Sequence, residues 1–257
     1  MMVNLGRALP RVSDKLNRTQ LKWLLKLWVY RYIDTMLEKV RKIIEREYEA
    51  QKSDEWLKLR GKMLTASDAA TAIGCNPYSN DKELILNKCG HRTFFGNAAT
   101  KHGEKYEDEA RDKWCAMTGE VSHEIGLFPH PKYDWLGGSP DGITESGKLV
   151  EIKCPMMRKI TSEVPVHYMP QLQLLMDILD LDEAVFIQYK PYELTWPAPE
   201  EFVVTHIPRD PNWMEENLPK MRALWDKVLW HREHGVEELL PKPKEKKTRK
   251  KKVVVRA

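Results

Sequence analysis

The chain has 257 residues, 42% of them hydrophobic, with a net charge of +4 and four cysteines. That length supports one substantial core plus an appendage and is short for two full-sized domains. No apolar run approaches the ~20 residues of a membrane span and no secretory apolar region precedes a cleavage site. Cys75, Cys89, Cys115 and Cys154 form no Cys-x-x-Cys pair, which argues against a disulfide framework or a zinc site and fits reduced thiols in an intracellular protein.

The positive total conceals an asymmetry. Residues 1–50 carry +5 and residues 241–257 carry +8, which leaves residues 51–240 at −9. An acidic middle gives bulk charge no weight as an argument for nucleic acid, so any such argument must come from local sites.

From Asn17 to Ala50 apolar residues recur at helical spacing (Leu21, Leu24, Leu25, Trp28, Tyr32, Met36, Val40, Ile43, Ile44) with no Gly or Pro inside. This predicts one or two amphipathic helices used for packing or for contact between copies, with a DNA-facing role as the alternative. Gln51–Asp54 reads as a junction. Thr65-Ala-Ser-Asp68 carries an N-cap hydroxyl and a carboxylate three positions later, predicting a helix that Asn76-Pro77 ends. Ala98–Met117 reads as a long helix closed at Gly119. Strand patterns follow at Glu124–Phe128, Trp135–Ser139 and Leu149–Lys153, with Gly142 and Glu145-Ser146-Gly147 supplying the turn between the last two. A helix near Tyr168–Leu179, strands at Ala184–Tyr189 and Phe202–Ile207 and a helix near Asn212–His234 complete the order. The class is therefore α/β or α+β with a mixed sheet. The lysine-rich segment from 241 to 257 is low-complexity and is predicted to be disordered, as a nuclear address, a DNA tether or a solvated charge run.

The chemistry concentrates between residues 139 and 153. Side chains alternate along a strand, so Glu151 and Lys153 share a face, with the carbonyl of Ile152 between them. If the preceding strand returns antiparallel, Asp141 arrives beside Glu151. Two carboxylates and a carbonyl are the hard oxygen ligands that Mg²⁺ or Mn²⁺ prefers, as one ion or two, and Lys153 supplies a compact positive charge for an attacking water or a developing anion. Glu107, on the 98–117 helix, is a further carboxylate for the metal, or else the i,i+4 partner of Arg111. Gln171 is placed to orient water or phosphate, or else faces solvent at a helix start. Among other residues, a lone His167 carries little weight for catalysis, and Trp135 reads as core or as a base-stacking side chain.

Five segments in order carry a resemblance. They are Arg60-Gly-Lys-Met-Leu-Thr-Ala-Ser67, Gly103-x-x-x-Glu107-x-x-Ala110-Arg111, Ser139-Pro-Asp141-Gly, Glu151-Ile-Lys153-Cys-Pro155 and Tyr168-Met-Pro-Gln171-Leu-Gln173. Together, over roughly residues 54–210, they resemble the YqaJ-type viral recombinases, the group of the bacteriophage lambda exonuclease, within the PD-(D/E)XK nucleases. The resemblance implies a restriction-endonuclease-like core over 54–240, with 1–53 as a helical extension and 241–257 as a basic tail. It implies a Mg²⁺-dependent nuclease digesting linear duplex DNA processively from 5′ to 3′. Asp141 and Glu151 become metal ligands, Glu107 their acidic partner, Lys153 the catalytic lysine and Gln171 an active-site helper. Arg60 and Ser67 become the pocket for a 5′-terminal phosphate, with Ser139 a weaker candidate; a guanidinium and a helix start near Thr65 suit that anion. Implied partners are duplex DNA, a single-strand annealing protein and further copies of the chain in a trimer, and a viral protein of this kind would work in the host nucleus or cytoplasm. An endonuclease or RNA-degrading relative, and a non-catalytic scaffold that binds DNA ends, are the competing readings.

Overall fold

The computed structural model describes residues 18–91 and 98–240, apart from the side chains of residues 18–25, 28 and 32, so the basic segment after 240 lies outside the described residues. A first helix, α1 (Arg18–Ile44), is followed by α2 (Asp54–Gly61), the short strand β1 (Leu64–Thr65), a 3-10 turn (Ala66–Asp68), α3 (Ala69–Ala72) and α4 (Asp81–Lys88). Next come α5 (Ala98–Thr118) and five strands: β2 (Ser122–His123), β3 (Phe128–Pro129), β4 (Leu136–Gly138), β5 (Gly142–Thr144) and β6 (Leu149–Lys153). The chain closes with α6 (Met169–Leu179), β7 (Glu183–Lys190), α7 (Tyr192–Thr195), β8 (Glu201–Pro208) and α8 (Trp213–His234). No helix among the described residues is long and apolar enough to cross a membrane.

The strands form a five-stranded sheet in the order β2-β5-β6-β7-β8 and a small sheet in the order β1-β4-β3. β6 and β7 are parallel and joined through α6, while β5–β6 and β7–β8 are antiparallel, so the larger sheet is mixed. β6 is buried on both faces. Val150, Ile152 and Cys154 pack with Val185, Ile187 and Tyr189 against Tyr106, Ala110 and Trp114, the i, i+4, i+8 stripe of α5. Leu149, Ala184 and Phe186 face the other way, onto α6 and α8. Glu151 and Lys153, in phase with Leu149, therefore point to the α6 side.

Several boundaries differ from the sequence reading for identifiable reasons. α1 ends at Ile44, and the chain beyond it is held by Tyr48, whose hydroxyl donates to the Ile43 carbonyl at 2.7 Å. Two eight-residue helices were not visible as periodic patterns. α2 is capped by Ser53, which accepts the Trp56 N–H, and α4 by Asn80, which accepts the Glu83 N–H. The helix expected from Thr65 is one 3-10 turn and the four residues of α3. Of the expected strand Glu124–Phe128 only Phe128 is in one, as the first residue of β3; residues 124–127 pass from one sheet to the other. The Ile125 carbonyl is taken by the Gln51 side chain at 2.7 Å, and Gly126 lies under Tyr48, where a Cβ would come within 2.5 Å of the Tyr48 Cβ. Gly142 is not a turn residue either. It opens β5, and its lack of a side chain admits Ser122, whose hydroxyl would be 2.3 Å from a Cβ. The turn between β5 and β6 is made at Gly147, which has φ 84.

Candidate active site

The antiparallel register of β5 and β6, with Gly142 opposite Val150, brings Asp141 to the middle of β6. Its Oδ2 accepts the Ile152 N–H at 2.7 Å. Glu151 and Lys153 lie together on the α6 face: Lys153 Nζ bonds Glu151 Oε1 and stands 4.0 Å from Asp141 Oδ2. From the first turn of α6, Gln171 Nε2 donates to the same Glu151 Oε1 at 2.5 Å, so it faces the site and not solvent. Ile152 is buried between the two polar residues. Glu151 is itself fully buried, and its Oε2 has no hydrogen-bond partner. Glu107 reaches the same neighbourhood from α5. It does pair with Arg111, at 3.1 Å, and Arg111 in turn donates to the Asp141 carbonyl at 3.2 Å.

Crowding these acids has an electrostatic consequence. Burial, and then the nearby Asp141 charge, push Glu151 up to about 8. The same two causes push Glu107 up to about 7, with Arg111 opposing. Burial works against the Lys153 ammonium, but Glu151 and Asp141 outweigh it and raise its pKa, so it stays charged. Burial pushes the neighbouring Cys154 thiol up to about 12, which keeps it protonated and unreactive. Among the described residues no three His, Cys, Asp or Glu side chains are arranged to hold a metal ion. Mg²⁺ needs fewer: one or two carboxylates, with water and phosphate filling its octahedron. The unpartnered Glu151 Oε2 beside Asp141 fits that requirement, because a cation would satisfy a buried oxygen that no donor reaches.

A second group lies where α2 meets the 3-10 turn. The Arg60 guanidinium lies 4.4 Å from the Trp56 ring centroid and donates to Ser67 Oγ at 2.8 Å. The Trp56 indole N–H donates to Ser139 Oγ at 3.1 Å, so one tryptophan ties Arg60 to the Ser139-Pro140-Asp141 segment. At this helix start the Thr65 N–H is taken by the Asp68 carboxylate at 2.9 Å. Burial alone would raise Asp68, but Lys88 (2.7 Å away) and Arg60 outweigh burial and hold it below the usual carboxylate range. Between this group and the carboxylates is a cavity of about 160 Å³ lined by Ser67, Ala70, Asn76, Tyr78, His167, Tyr168 and Gln171. It runs from the Arg60 partner Ser67 to the Glu151 partner Gln171.

Residues 55–181 match the YqaJ-like viral recombinase domain. The chain carries a YqaJ-like viral recombinase domain. It is similar to the uncharacterized protein R354 of Acanthamoeba polyphaga mimivirus, 32% identical over 190 residues that make up 66% of this chain and 34% of that protein. It is also similar to protein D345L of African swine fever virus (strain Badajoz 1971 Vero-adapted), 30% identical over 155 residues, 48% of this chain and 44% of that protein. The chain thus spans less than half the length of these two viral relatives. Among solved structures it resembles the alkaline exonuclease LHK-Exo of Laribacter hongkongensis. The likeness has a TM-score of 0.60 and 26% identity over 71% of this chain and 95% of that one, and the same enzyme is also solved with dAMP. The recombinase domain accordingly has the PD-(D/E)XK nuclease fold.

Within this domain the residues singled out by sequence fall into two groups, Glu107–Asp141–Glu151–Ile152–Lys153–Gln171 and Arg60–Ser67, with Ser139 linked to the second through Trp56. Trp56 itself was missed, although its i,i+4 spacing to Arg60 on a helix opened by Ser53-Asp54-Glu55 was a usable signal. His167 was given little weight for catalysis. It lines the cavity, edge-on to Tyr78 with ring centroids 5.3 Å apart.

Proposed function

We propose that this protein is a Mg²⁺- or Mn²⁺-dependent exonuclease that hydrolyses linear duplex DNA from 5′ ends. The observation that carries this is Glu151, a fully buried carboxylate with one free oxygen, packed against Asp141 and Lys153. A buried, under-satisfied acid costs stability and is kept where a reaction uses it. Asp141, Glu151 and the Ile152 carbonyl would hold the metal, with Glu107 beside them for a second ion. The metal, when bound, polarises the phosphate and lowers the pKa of water. Lys153, kept protonated by its carboxylate neighbours, donates to a non-bridging oxygen of the scissile phosphate as negative charge builds there. Gln171 fixes the Glu151 carboxylate, and Glu107, raised toward neutrality, can exchange a proton with water at the site. Water adds to phosphorus, the P–O3′ bond breaks, and a 5′-mononucleotide leaves; the dAMP complex of LHK-Exo supports that product class.

Arg60 and Ser67, across the cavity from Gln171, are the pocket for the 5′-terminal phosphate, with Ser139 held nearby by Trp56. A terminal phosphate carries more charge than an internal one, and a charge-assisted bond to it is worth about 1.5–3 kcal/mol. Linear duplex with a 5′-phosphate should therefore be degraded about tenfold or more faster than the 5′-hydroxyl form. Arg60→Ala should erase most of the difference. The test compares initial rates on these two ends, on a covalently closed circle, on single-stranded DNA and on RNA, in Mg²⁺ and in EDTA. Cutting of the circle would transfer the assignment to an endonuclease, and DNA-end binding without cleavage in Mg²⁺ or Mn²⁺ would leave a scaffold.

A further inference from the structure

After Lys153 the chain leaves the sheet and passes back over the ends of β6 and β7, bringing Arg158 onto the face that holds Glu151. The anchor is Gln188 on β7, which stands opposite Lys153 in the parallel register and is completely buried. Its amide oxygen accepts Arg158 Nη1 at 2.7 Å, and its amide nitrogen donates to the Thr161 carbonyl at 2.7 Å. Gln188 is thus spent on fixing this turn. Arg158 and Lys153 then approach the same ring: the guanidinium carbon is 5.8 Å and the ammonium 5.6 Å from the Tyr168 centroid.

Both hydrogen bonds of Arg158, to Gln188 and to the Lys159 carbonyl, use Nη1. Nη2 is buried with no hydrogen-bond partner, and none of the ion pairs among the described residues includes Arg158. Next along the chain from Tyr168, with ring centroids 4.2 Å apart, His167 also has a buried ring nitrogen, Nε2, without a partner. Two unsatisfied nitrogens therefore lie near one tyrosine, beside the candidate catalytic lysine, and His167 and Tyr168 line the cavity that Gln171 also lines. A guanidinium fixed on one side by a buried amide and unsatisfied on the other presents a rigid fork, the shape that phosphate oxygens fit. A buried cationic donor without an acceptor is unfavourable unless a ligand provides one. The turn itself is at the surface, with Met157 88% exposed.

We propose that Arg158 Nη2 and His167 Nε2 form a phosphodiester-binding subsite beside Lys153, which takes a backbone phosphate of the strand being cut, with Gln188 as its positioning residue. This rests on the nuclease reading. The test is duplex binding in Ca²⁺ as a function of salt, together with single-turnover cleavage in Mg²⁺, with thermal midpoints to verify folding. Arg158→Gln keeps a donor for Gln188 and removes the charge. It is expected to reduce the slope of log affinity against log salt by about one and to slow cleavage roughly a hundredfold. Arg158→Lys keeps the charge and loses the fork, so it should retain the slope and cleave about tenfold more slowly. His167→Phe, which preserves the ring packing, should weaken binding about threefold at an unchanged slope. A wild-type slope and rate in Arg158→Gln overturn the subsite; if that variant does not fold, a wild-type rate in Arg158→Lys does so instead. Wild-type protein that binds DNA but never cleaves it overturns the nuclease reading alone, since the slopes still decide the Arg158 contact. Wild-type protein that does neither overturns both.

Discussion

At the start of α6, Gln171 reaches a cluster in which Glu107 and Glu151 are pushed up to about 7 and about 8; at its end, Asp177 and Asp180 are held below the usual carboxylate range. Burial opposes ionisation at both ends, so what differs is how the oxygens are met. Asp177 and Asp180 have all four oxygens engaged. The Arg209 fork spans the two residues, His130 meets Asp177 Oδ2 at 3.0 Å, and Lys39 meets Asp180 Oδ2 at 2.9 Å. His130 Nδ1 accepts the Lys132 N–H, so the ring proton is on Nε2 and is donated to Asp177. Glu151, by contrast, has two donors on one oxygen and none on the other. The same helix thus carries a satisfied ion network at one end and an unsatisfied one at the other, and only the second has spare capacity for a ligand.

Removing a charge should have opposite consequences at the two ends. Glu151→Gln is expected to lower single-turnover cleavage by roughly a thousandfold or more, about 4 kcal/mol at ~1.4 kcal/mol per factor of ten. In EDTA at pH 8 the same variant should melt higher than wild type, by roughly 2–4 °C for each kcal/mol of relieved repulsion. A variant that lost both activity and stability would mean that Glu151 is a structural acid. Arg209→Met should do the reverse. Stripping the shared cation from two carboxylates costs about 3 kcal/mol, or roughly 6–12 °C, while cleavage well below the melting point stays near wild type.

The pH dependence of stability separates the ends without measuring activity. Glu107 and Glu151 are raised, so the folded protein binds protons that the unfolded chain releases. Their favourable contribution is complete below the ordinary carboxylate pKa and is lost as pH rises toward 7 and 8. Asp177 and Asp180 are lowered, so their contribution is present above the ordinary value and is lost only as pH falls through the depressed ones. Of these four carboxylates only Glu107 and Glu151 titrate between about pH 5 and 8.5. Urea midpoints of metal-free protein should decline over that range. Glu151→Gln should flatten the decline, and Arg209→Met should run below wild type but parallel to it. A wild-type profile that rises instead would refute the assignment of strain to the α6 start.

The two ends were not equally legible in the sequence. Glu151-x-Lys153 could be placed on one face from strand alternation alone, and Asp141 followed if the hairpin closed antiparallel, which it does at Gly147 and not at Gly142. Those relations span a dozen residues. The network at the other end joins Lys39, His130, Asp177, Asp180 and Arg209, positions up to 170 residues apart that no periodicity connects. Trp56–Ser139 and Asp68–Lys88 were hidden for the same reason. α2 and α4 were hidden for another: at eight residues each they are too short for a 3.6-residue period to stand out, and only their caps mark them. Mixed α/β architecture and the carboxylate pair depend on local pattern, whereas what neutralises a charge depends on tertiary contact.

The smallest expected effect tests whether every member of the satisfied network matters equally. Lys39 reaches from α1 to the end of α6, where it meets both the Asp180 carboxylate and the Asp180 carbonyl. Asp180 is the left-handed C-cap of that helix, with φ 51, so the ammonium also faces the negative end of the helix dipole. Yet the Lys39 side chain is 34% exposed and that of Asp180 70%, and exposed pairs of this kind are worth about 0–1 kcal/mol. Arg209 still holds the other Asp180 oxygen at 2.8 Å when Lys39 is gone. The attachment of α1 also rests on apolar packing: Val40 and Ile43 are buried in the main core, and Met36 closes over Gly147, where a Cβ would come within 2.5 Å of its methyl carbon. Lys39→Ala should therefore cost less than about 1 kcal/mol, with cleavage unchanged, and the deficit should shrink at about 1 M salt, where exposed charges are screened. Urea midpoints of wild type and variant at low and high salt measure this directly. A loss comparable to that of Arg209→Met, or one insensitive to salt, would mean that Lys39 is integral to the network and that the position of α1 is set by charge more than by packing.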